Sequence, residues 1–242
     1  MAVIKKYPET IKINPWCPGC GHPILNRVLQ ELILEKDLGE RYLCMAGVGC
    51  GSMQYISLNR LHAIECHHGR APSTAYGYKL LRPDNFIYTV QGDGDAYAIG
   101  MGETMLAAYE NHPITIIVVN NGNYGMTGGQ MAPTTIPGQK TTTCVHGRND
   151  GLPPIDIMRA IKTIDQVKYA ARGSTASLAE INKLKKYLSK AIDCQMNEKC
   201  FSMIEVLCQC PTNWHMTLPQ SVKHMEENVY PLFPLGEFKN EL

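Results

Sequence analysis

Two stretches decide the fold: Phe86-Ile87-Tyr88-Thr89-Val90-Gln91-Gly92-Asp93-Gly94-Asp95 and Ile114-Thr115-Ile116-Ile117-Val118-Val119-Asn120-Asn121. Each opens with a run that is almost wholly apolar or β-branched, as a strand covered on both faces requires. Each run then breaks into glycine, aspartate or asparagine. A helical pattern over 96–110 lies between them, which suits a helical crossover and a parallel pairing. Their carboxyl ends therefore share one edge of a sheet, where open α/β folds collect ligands.

Working outward, 42–46 and 202–207 read as further strands, and 22–35, 72–81, 155–161 and 178–192 as further helices. The alternation predicts an α/β fold, a mostly parallel sheet with helices on both faces, as one domain over 1–242. Residues 120–150 and the N-terminal stretch read as long loops able to hold a ligand. Residues 211–242 show little periodicity and read as a C-terminal tail that wraps this subunit or a neighbour.

At the shared edge Asp93 offers a charged oxygen and Asn121 a neutral one. Both are hard donors suited to Mg²⁺, which keeps octahedral geometry and often binds through phosphates. Gly92 and Gly94 allow close approach of the backbone to a diphosphate, and the helix start that follows favours an anion. A lone Gly-Asp-Gly is weak evidence, and Asn-Asn after a strand is usually a turn. The two together, 28 residues apart from Asp93 to Asn121 and each after a buried strand, weigh far more.

The formal charge of +1 over 242 residues leaves no basic stripe for nucleic acid, so that partner is excluded. Lys183-Leu184-Lys185-Lys186 reads as the solvated face of a helix. Residues 1–15 carry no apolar core of signal-peptide length, and the longest apolar run, 114–119, is too short to cross a bilayer. The expectation is a soluble, cytoplasmic chain with no membrane partner. There, ten cysteines point to metal ligation for the clustered ones rather than to a disulfide framework. Cys17-Pro18-Gly19-Cys20 has the spacing that places two thiolates on one ion or cluster. By itself it is also compatible with half a zinc knuckle or a redox dithiol. No strand precedes it, unlike a thioredoxin-type dithiol, and the other close pair, Cys208-Gln209-Cys210, is atypical for zinc.

The Gly-Asp-Gly and Asn-Asn pair resembles the thiamine diphosphate-binding motif. A longer ordered set, from Asn14 to about Trp214, resembles the thiamine diphosphate-binding β subunit of 2-oxo acid:ferredoxin oxidoreductases. It comprises Trp16-Cys17-Pro18-Gly19-Cys20-Gly21-His22, Gly47-Val48-Gly49-Cys50-Gly51, His68-Gly69-Arg70-Ala71, Gly92-Asp93-Gly94-Asp95, the run from Asn120 to Gln130, and Glu205-Val206-Leu207 leading to Cys210. The resemblance implies thiamine diphosphate anchored through Mg²⁺ by Asp93, Asn121 and the backbone carbonyl of Asn123. It implies a 4Fe–4S cluster on Cys17, Cys20, Cys50 and Cys210, with 1–21 as the N-terminal cluster-binding segment and Cys208 as rival for the last place. Gly92, Gly94, Asp95, Gly125 and Thr127 would surround the diphosphate, with the Thr127 hydroxyl as a direct contact. His68 and Arg70 would line the substrate pocket, unless Arg70 is a structural ion pair. Gln130 and 134–143 form either a lid or a surface turn. Cys44, Cys66, Cys144, Cys194 and Cys200 are left as core or surface thiols.

The implied reaction is oxidative decarboxylation of a 2-oxo acid to acyl-CoA and carbon dioxide, with electrons passing through the cluster to ferredoxin. Thiamine enzymes also need a glutamate on the cofactor's pyrimidine side, carried by a different domain, and only one α/β unit is readable in these 242 residues. An α subunit is expected to supply that glutamate, with further γ and ferredoxin-like δ subunits. Many relatives carry a cation just after the cysteine of the glycine-rich turn. Here Gly51-Ser52-Met53-Gln54 has none before Arg60, which favours a branched-chain substrate such as 2-oxoisovalerate. If the partner supplies the selecting charge, 2-oxoglutarate or pyruvate takes its place. A non-redox thiamine decarboxylase or synthase subunit would leave the four cysteines idle. An iron–sulfur or zinc scaffold protein would leave Asp93 and Asn121 unexplained.

Overall fold

In the computed structural model, residues 11–58 and 62–242 are described. The chain runs α1 (His22–Glu35), β1 (Tyr42–Ala46), a short turn of helix at Cys50–Ser52, α2 (Met53–Ser57), β2 (Ala63–Glu65), α3 (Ala71–Leu81) and β3 (Phe86–Gly92). A π-helical turn at Asp95–Ile99 leads into α4 (Met101–Tyr109) and β4 (Thr115–Asn120). A small hairpin, β5 (Asn123–Tyr124) with β6 (Gln130–Met131), precedes α5 (Ile157–Ile161), β7 (Tyr169–Ser174), α6 (Leu178–Asn197) and β8 (Ser202–Leu207). The chain closes with α7 (Pro211–Trp214), α8 (Leu218–His224) and β9 (Gly236–Asn240).

Seven strands form one sheet in the order β2-β1-β3-β4-β8-β7-β9, parallel except for the antiparallel edge strand β9. Strand residues alternate between two cores. Tyr42, Cys44, Tyr88, Ile117 and Ile204 face a layer built on Leu25, Leu29, Ile33 of α1 and Leu184, Leu188 of α6. Leu43, Met45, Ile87, Ile116 and Met203 face Ala75 of α3, Ala107 of α4 and Met158 of α5. Each such fully buried aliphatic side chain contributes about 1.5 to 3 kcal/mol, so the two-sided burial fixes the register of the central strands. The expected α/β architecture with helices on both faces is present.

Several boundaries differ from the expected ones, each for a local reason. The helix expected over 96–110 is broken, because Gly100 packs on Gly69 so tightly that a Cβ there would lie 2.6 Å from the Gly69 carbonyl. Helices expected over 155–161 and 178–192 instead span Ile157–Ile161 and Leu178–Asn197. Strand β7 carries no strand signal, since Tyr-Ala-Ala-Arg-Gly-Ser holds an arginine and small residues, yet all six are buried. The tail at 211–242 is not irregular: it holds two short helices, and β9 pairs with β7, so it wraps this chain itself. Cys194 and Cys200, expected as thiols, form a disulfide between the end of α6 and the start of β8. The other eight cysteines are free. Among the described residues no helix is long and apolar enough to cross a membrane.

Candidate functional site

Because six strands are parallel, their carboxyl ends present Gly47–Gly51, Cys66–Gly69, Asp93–Asp95, Asn121–Gly125 and Cys208–Cys210 along one edge. One cleft of about 110 Å³ there is lined by His22, Val48 to Gly51, His68, Gly92 to Asp95, Val119, Asn121 and Asn123 to Thr127. A second, of about 380 Å³, is lined by Cys17, Cys20, Cys50 and Cys210 together with Trp16, Met53 and Pro211. The two share His22, Cys50, Asn121, Gly125 and Met126 as a common wall.

In the first cleft Asp93 is 1% exposed, and its side-chain hydrogen-bond partner is the hydroxyl of Thr134. Burial pushes its carboxyl up to about 7, the response of a carboxylate placed where a cation would offset desolvation. Asn121 and Asn123 are also buried, and the Asn121 carbonyl accepts from Asn123 Nδ2 (2.9 Å) and Trp214 Nε1 (3.1 Å). One charged and two amide-bearing residues on a buried, oxygen-rich edge fit Mg²⁺. Gly94 serves packing as well as approach: a Cβ there would strike the Tyr124 ring at 2.3 Å. Asp95 does not face a ligand freely. It accepts from His68 Nδ1, the Gly69 amide (2.7 Å) and Gln91 Nε2 (2.8 Å), and so fixes the His68 ring with Nδ1 engaged and Nε2 left for the cleft.

Arg70 falls elsewhere, and Thr127 and the 134–143 run are engaged in local bonds. Arg70 sits outside both clefts, exposed, with Nη1 donating to Glu103 Oε1 at 2.9 Å, which is the structural ion pair rather than the pocket residue. Thr127 lines the first cleft, but its hydroxyl donates to Gln130 Oε1 at 2.6 Å. The run 134–143 is no free lid. Thr134 holds Asp93, Thr135 donates to the Gly122 carbonyl (2.7 Å), and Arg148 donates to the carbonyls of Pro133 and Thr135.

The second cleft gathers the four cysteines from the segment before α1, the turn after β1 and the loop after β8. Trp16 Nε1 donates to the Cys50 carbonyl at 2.8 Å and ties the first two together. Burial and the neighbouring cysteines push the Cys50 thiol up to about 12, and burial raises Cys210. A bound metal cluster reverses that tendency, since coordination deprotonates a thiol outright. Cys208 does not line this cleft; it is 1% exposed and lies behind Cys20. Its thiol hydrogen bond lowers Cys20 while its own proton is held more tightly. Cys20, His22 and Cys208 offer three donors within 4.8 Å of one another, while the four expected ligands all line this one cavity. Four thiol side chains round one cavity fit a polynuclear cluster.

Some supporting residues carry no motif. Asn213 Nδ2 donates to the Gly125 carbonyl (2.9 Å) and reaches Asn123 Oδ1 (3.4 Å) and Cys210 Sγ (3.6 Å), so it spans both clefts. Glu205, fully buried, accepts from Asn120 Nδ2 at 2.9 Å and from Arg172, which also binds Asp156 and the Pro234 carbonyl (3.2 Å). The one signal for this network was a charge set in each of two otherwise apolar or small-residue strands.

The family model "Thiamine pyrophosphate enzyme, C-terminal TPP binding domain" matches residues 47–206. The chain is similar to the ketoisovalerate oxidoreductase subunit VorA of Methanothermobacter thermautotrophicus, 32% identical over 227 residues, covering 93% of this chain and 47% of that protein. It is similar to the 2-oxoglutarate synthase subunit KorB of Archaeoglobus fulgidus, 33% identical over 215 residues, covering 88% of this chain and 76% of that protein. In fold it is like a solved 2-oxoglutarate:ferredoxin oxidoreductase from Magnetococcus marinus with 2-oxoglutarate, coenzyme A and succinyl-CoA bound. The TM-score is 0.78 at 22% identity, covering 98% of this chain and 86% of that one. Against VorA the chain thus spans about half the relative's length. The chain belongs to the thiamine pyrophosphate enzymes, and among them to the thiamine diphosphate-binding subunits of the 2-oxo acid oxidoreductases.

Proposed function

We propose that this chain is the cofactor-binding subunit of a cytoplasmic 2-oxo acid:ferredoxin oxidoreductase, converting a 2-oxo acid and coenzyme A to acyl-CoA and carbon dioxide. The observation that carries the reading is the common wall: the cleft with Asp93 and Asn121 abuts the cavity lined by Cys17, Cys20, Cys50 and Cys210. Thiamine diphosphate, when bound, supplies an electron sink for decarboxylation, and a 4Fe–4S cluster supplies a one-electron acceptor. Asp93, Asn121 and the Asn123 carbonyl hold Mg²⁺ and through it the diphosphate. His68, braced by Asp95, offers Nε2 to the cofactor or the substrate oxygen. The four cysteines hold the cluster within short reach of the cofactor.

A partner subunit completes the site. The first cleft, about 110 Å³, is far smaller than the roughly 300–1,000 Å³ of a pocket that encloses a drug-sized ligand, so it suits the metal and diphosphate end alone. Among the described residues its acidic lining is Asp93 and Asp95, both otherwise committed, which supports a pyrimidine-side glutamate supplied by an α subunit. γ and ferredoxin-like δ subunits and ferredoxin itself complete the electron path. Among the described residues no lysine or arginine lines either cleft, and Met53 lines the second, which supports a substrate with an apolar side chain such as 2-oxoisovalerate. Arg60, the next cation after Cys50, lies outside the described residues. The relatives' names offer both choices, since VorA is named for ketoisovalerate and KorB for 2-oxoglutarate.

The test is direct. Anaerobically purified chain should be brown, absorb broadly near 400 nm, contain iron and sulfide in equal amounts, and bind thiamine diphosphate by calorimetry only with Mg²⁺. Colourless, iron-free protein that binds the cofactor would favour the non-redox decarboxylase instead. In the complex with its α subunit, the specificity constant for 2-oxoisovalerate should exceed that for 2-oxoglutarate at least tenfold, about 1.4 kcal/mol. The reverse order would show that the partner reads a distal carboxylate.

A further inference from the structure

His22 and Cys208 are left over once the cofactor and cluster have their ligands, yet both are buried against Cys20. His22, the first residue of α1, is 2% exposed, and Cys208 is 1% exposed. His22 Nδ1 lies 3.3 Å from Cys20 Sγ and 3.7 Å from Cys208 Sγ. The ring is held by Trp16, stacked at 6.0 Å between centroids, and His22 Nε2 has no hydrogen-bond partner. Gly21 makes this approach possible, because a Cβ there would lie 2.7 Å from Cys208 Sγ and 2.2 Å from Thr175 Oγ1. His22 also belongs to the wall shared by the two clefts, whereas Cys208 lines a neighbouring hollow with Trp214 and Phe233.

We propose that His22 and Cys208 form a donor pair behind Cys20 that sets the reduction potential of the cluster without ligating it. The inference rests on the cluster reading above. A thiolate ligand keeps lone pairs after binding iron, and N–H and S–H groups aimed at it draw off negative charge. That favours the state with one more electron, so hydrogen bonds to ligand sulfur raise the potential. With its proton on Nδ1 the imidazole donates to Cys20, and the Cys208 S–H, within 4.8 Å of the same sulfur and 3.6 Å from the Gln209 carbonyl it also reaches, is a weaker donor. Cys208-Gln209-Cys210 then divides its labour: Cys210 lines the cluster cavity, and Cys208, two residues away, faces the back of Cys20.

The full chain, purified anaerobically with its cluster, is titrated with dithionite against mediators and followed by the paramagnetic signal of the reduced cluster. His22→Leu and Cys208→Ala should keep the wild-type iron and sulfide content. Their reduction equilibrium should shift tenfold or more towards the oxidised form for His22→Leu, 59 mV for a one-electron couple, and less for Cys208→Ala. His22→Asn, which keeps a side-chain N–H, should recover part of the shift. Unmoved potentials in both His22→Leu and Cys208→Ala would overturn the proposal. So would loss of iron from Cys208→Ala, which would make that thiol a ligand. Wild-type protein without a cluster would overturn the underlying reading, and that result is visible before any variant is made.

Discussion

The two halves of the site are built in opposite ways. The Asp93 half rests on adjacent parallel strands, β3 and β4, whose register is fixed by ladder bonds from Tyr88–Thr115 to Gly92–Val119. Its donors are buried and already committed to Thr134, Trp214 and neighbouring amides. The cysteine half draws on three separate segments, opens to solvent at Cys17, and is tied together by few bonds, chiefly Trp16 to the Cys50 carbonyl. A hard-cation site can be set by the sheet before any ligand arrives. A thiolate site assembled from loops gains much of its order from the metal that closes it.

That contrast can be broken by crossing the variants. Replacing Cys17, Cys20, Cys50 or Cys210 with Ser should each remove the iron entirely while leaving Mg²⁺-dependent thiamine diphosphate affinity within a few-fold of wild type. Asp93→Ala should do the converse, keeping the iron and weakening the cofactor by about 3 kcal/mol, more than a hundredfold in Kd. Iron analysis and calorimetry on the same preparations decide it. Loss of both from either class would mean that the halves fold as one unit.

A second measurement sharpens the description of the Asp93 half. Burial raises its carboxyl to about 7 from an ordinary value near 3.8, so the folded, cofactor-free chain keeps a proton that the unfolded chain has released. Stability from this group is therefore greatest below about pH 4 and falls as pH rises towards 7, by roughly 2 to 4 kcal/mol. Asp93→Asn should flatten that fall, making the cofactor-free variant more stable than wild type at pH 8 although it binds the cofactor poorly. Urea unfolding at pH 5 and pH 8 reads this out. An equal slope in both proteins would place the carboxylate in contact with solvent.

The smallest effect concerns the link between the halves. Asn213→Ala removes donors to the Gly125 carbonyl and towards Cys210, and should cost about 1 kcal/mol of stability and a few-fold in cofactor affinity. A loss confined to iron binding would show that Asn213 serves the cysteines alone.

Much of this architecture was legible in the chain. The runs at Tyr42–Ala46 and Ser202–Leu207 fall where the strands lie, because a strand buried on both faces must be apolar throughout. His22–Glu35 likewise matches its helix, since an amphipathic face repeats locally. The motif residues Asp93 and Asn121 could be placed on one edge because parallel strands align their carboxyl ends. Strand β9 and the Arg172–Glu205–Asp156 network could not be read, because neither is recorded in any local period.

Spacing alone paired only Cys17 with Cys20; it was the resemblance that grouped Cys50 and Cys208 or Cys210 with them. Only the tertiary structure decided between neighbours. Cys210 lines the cavity and Cys208 turns behind Cys20, and Arg70 pairs with Glu103 while His68 turns to Asp95. Which way a loop side chain points depends on what packs against it from distant parts of the chain. That information is long-range, and no local pattern of residues contains it.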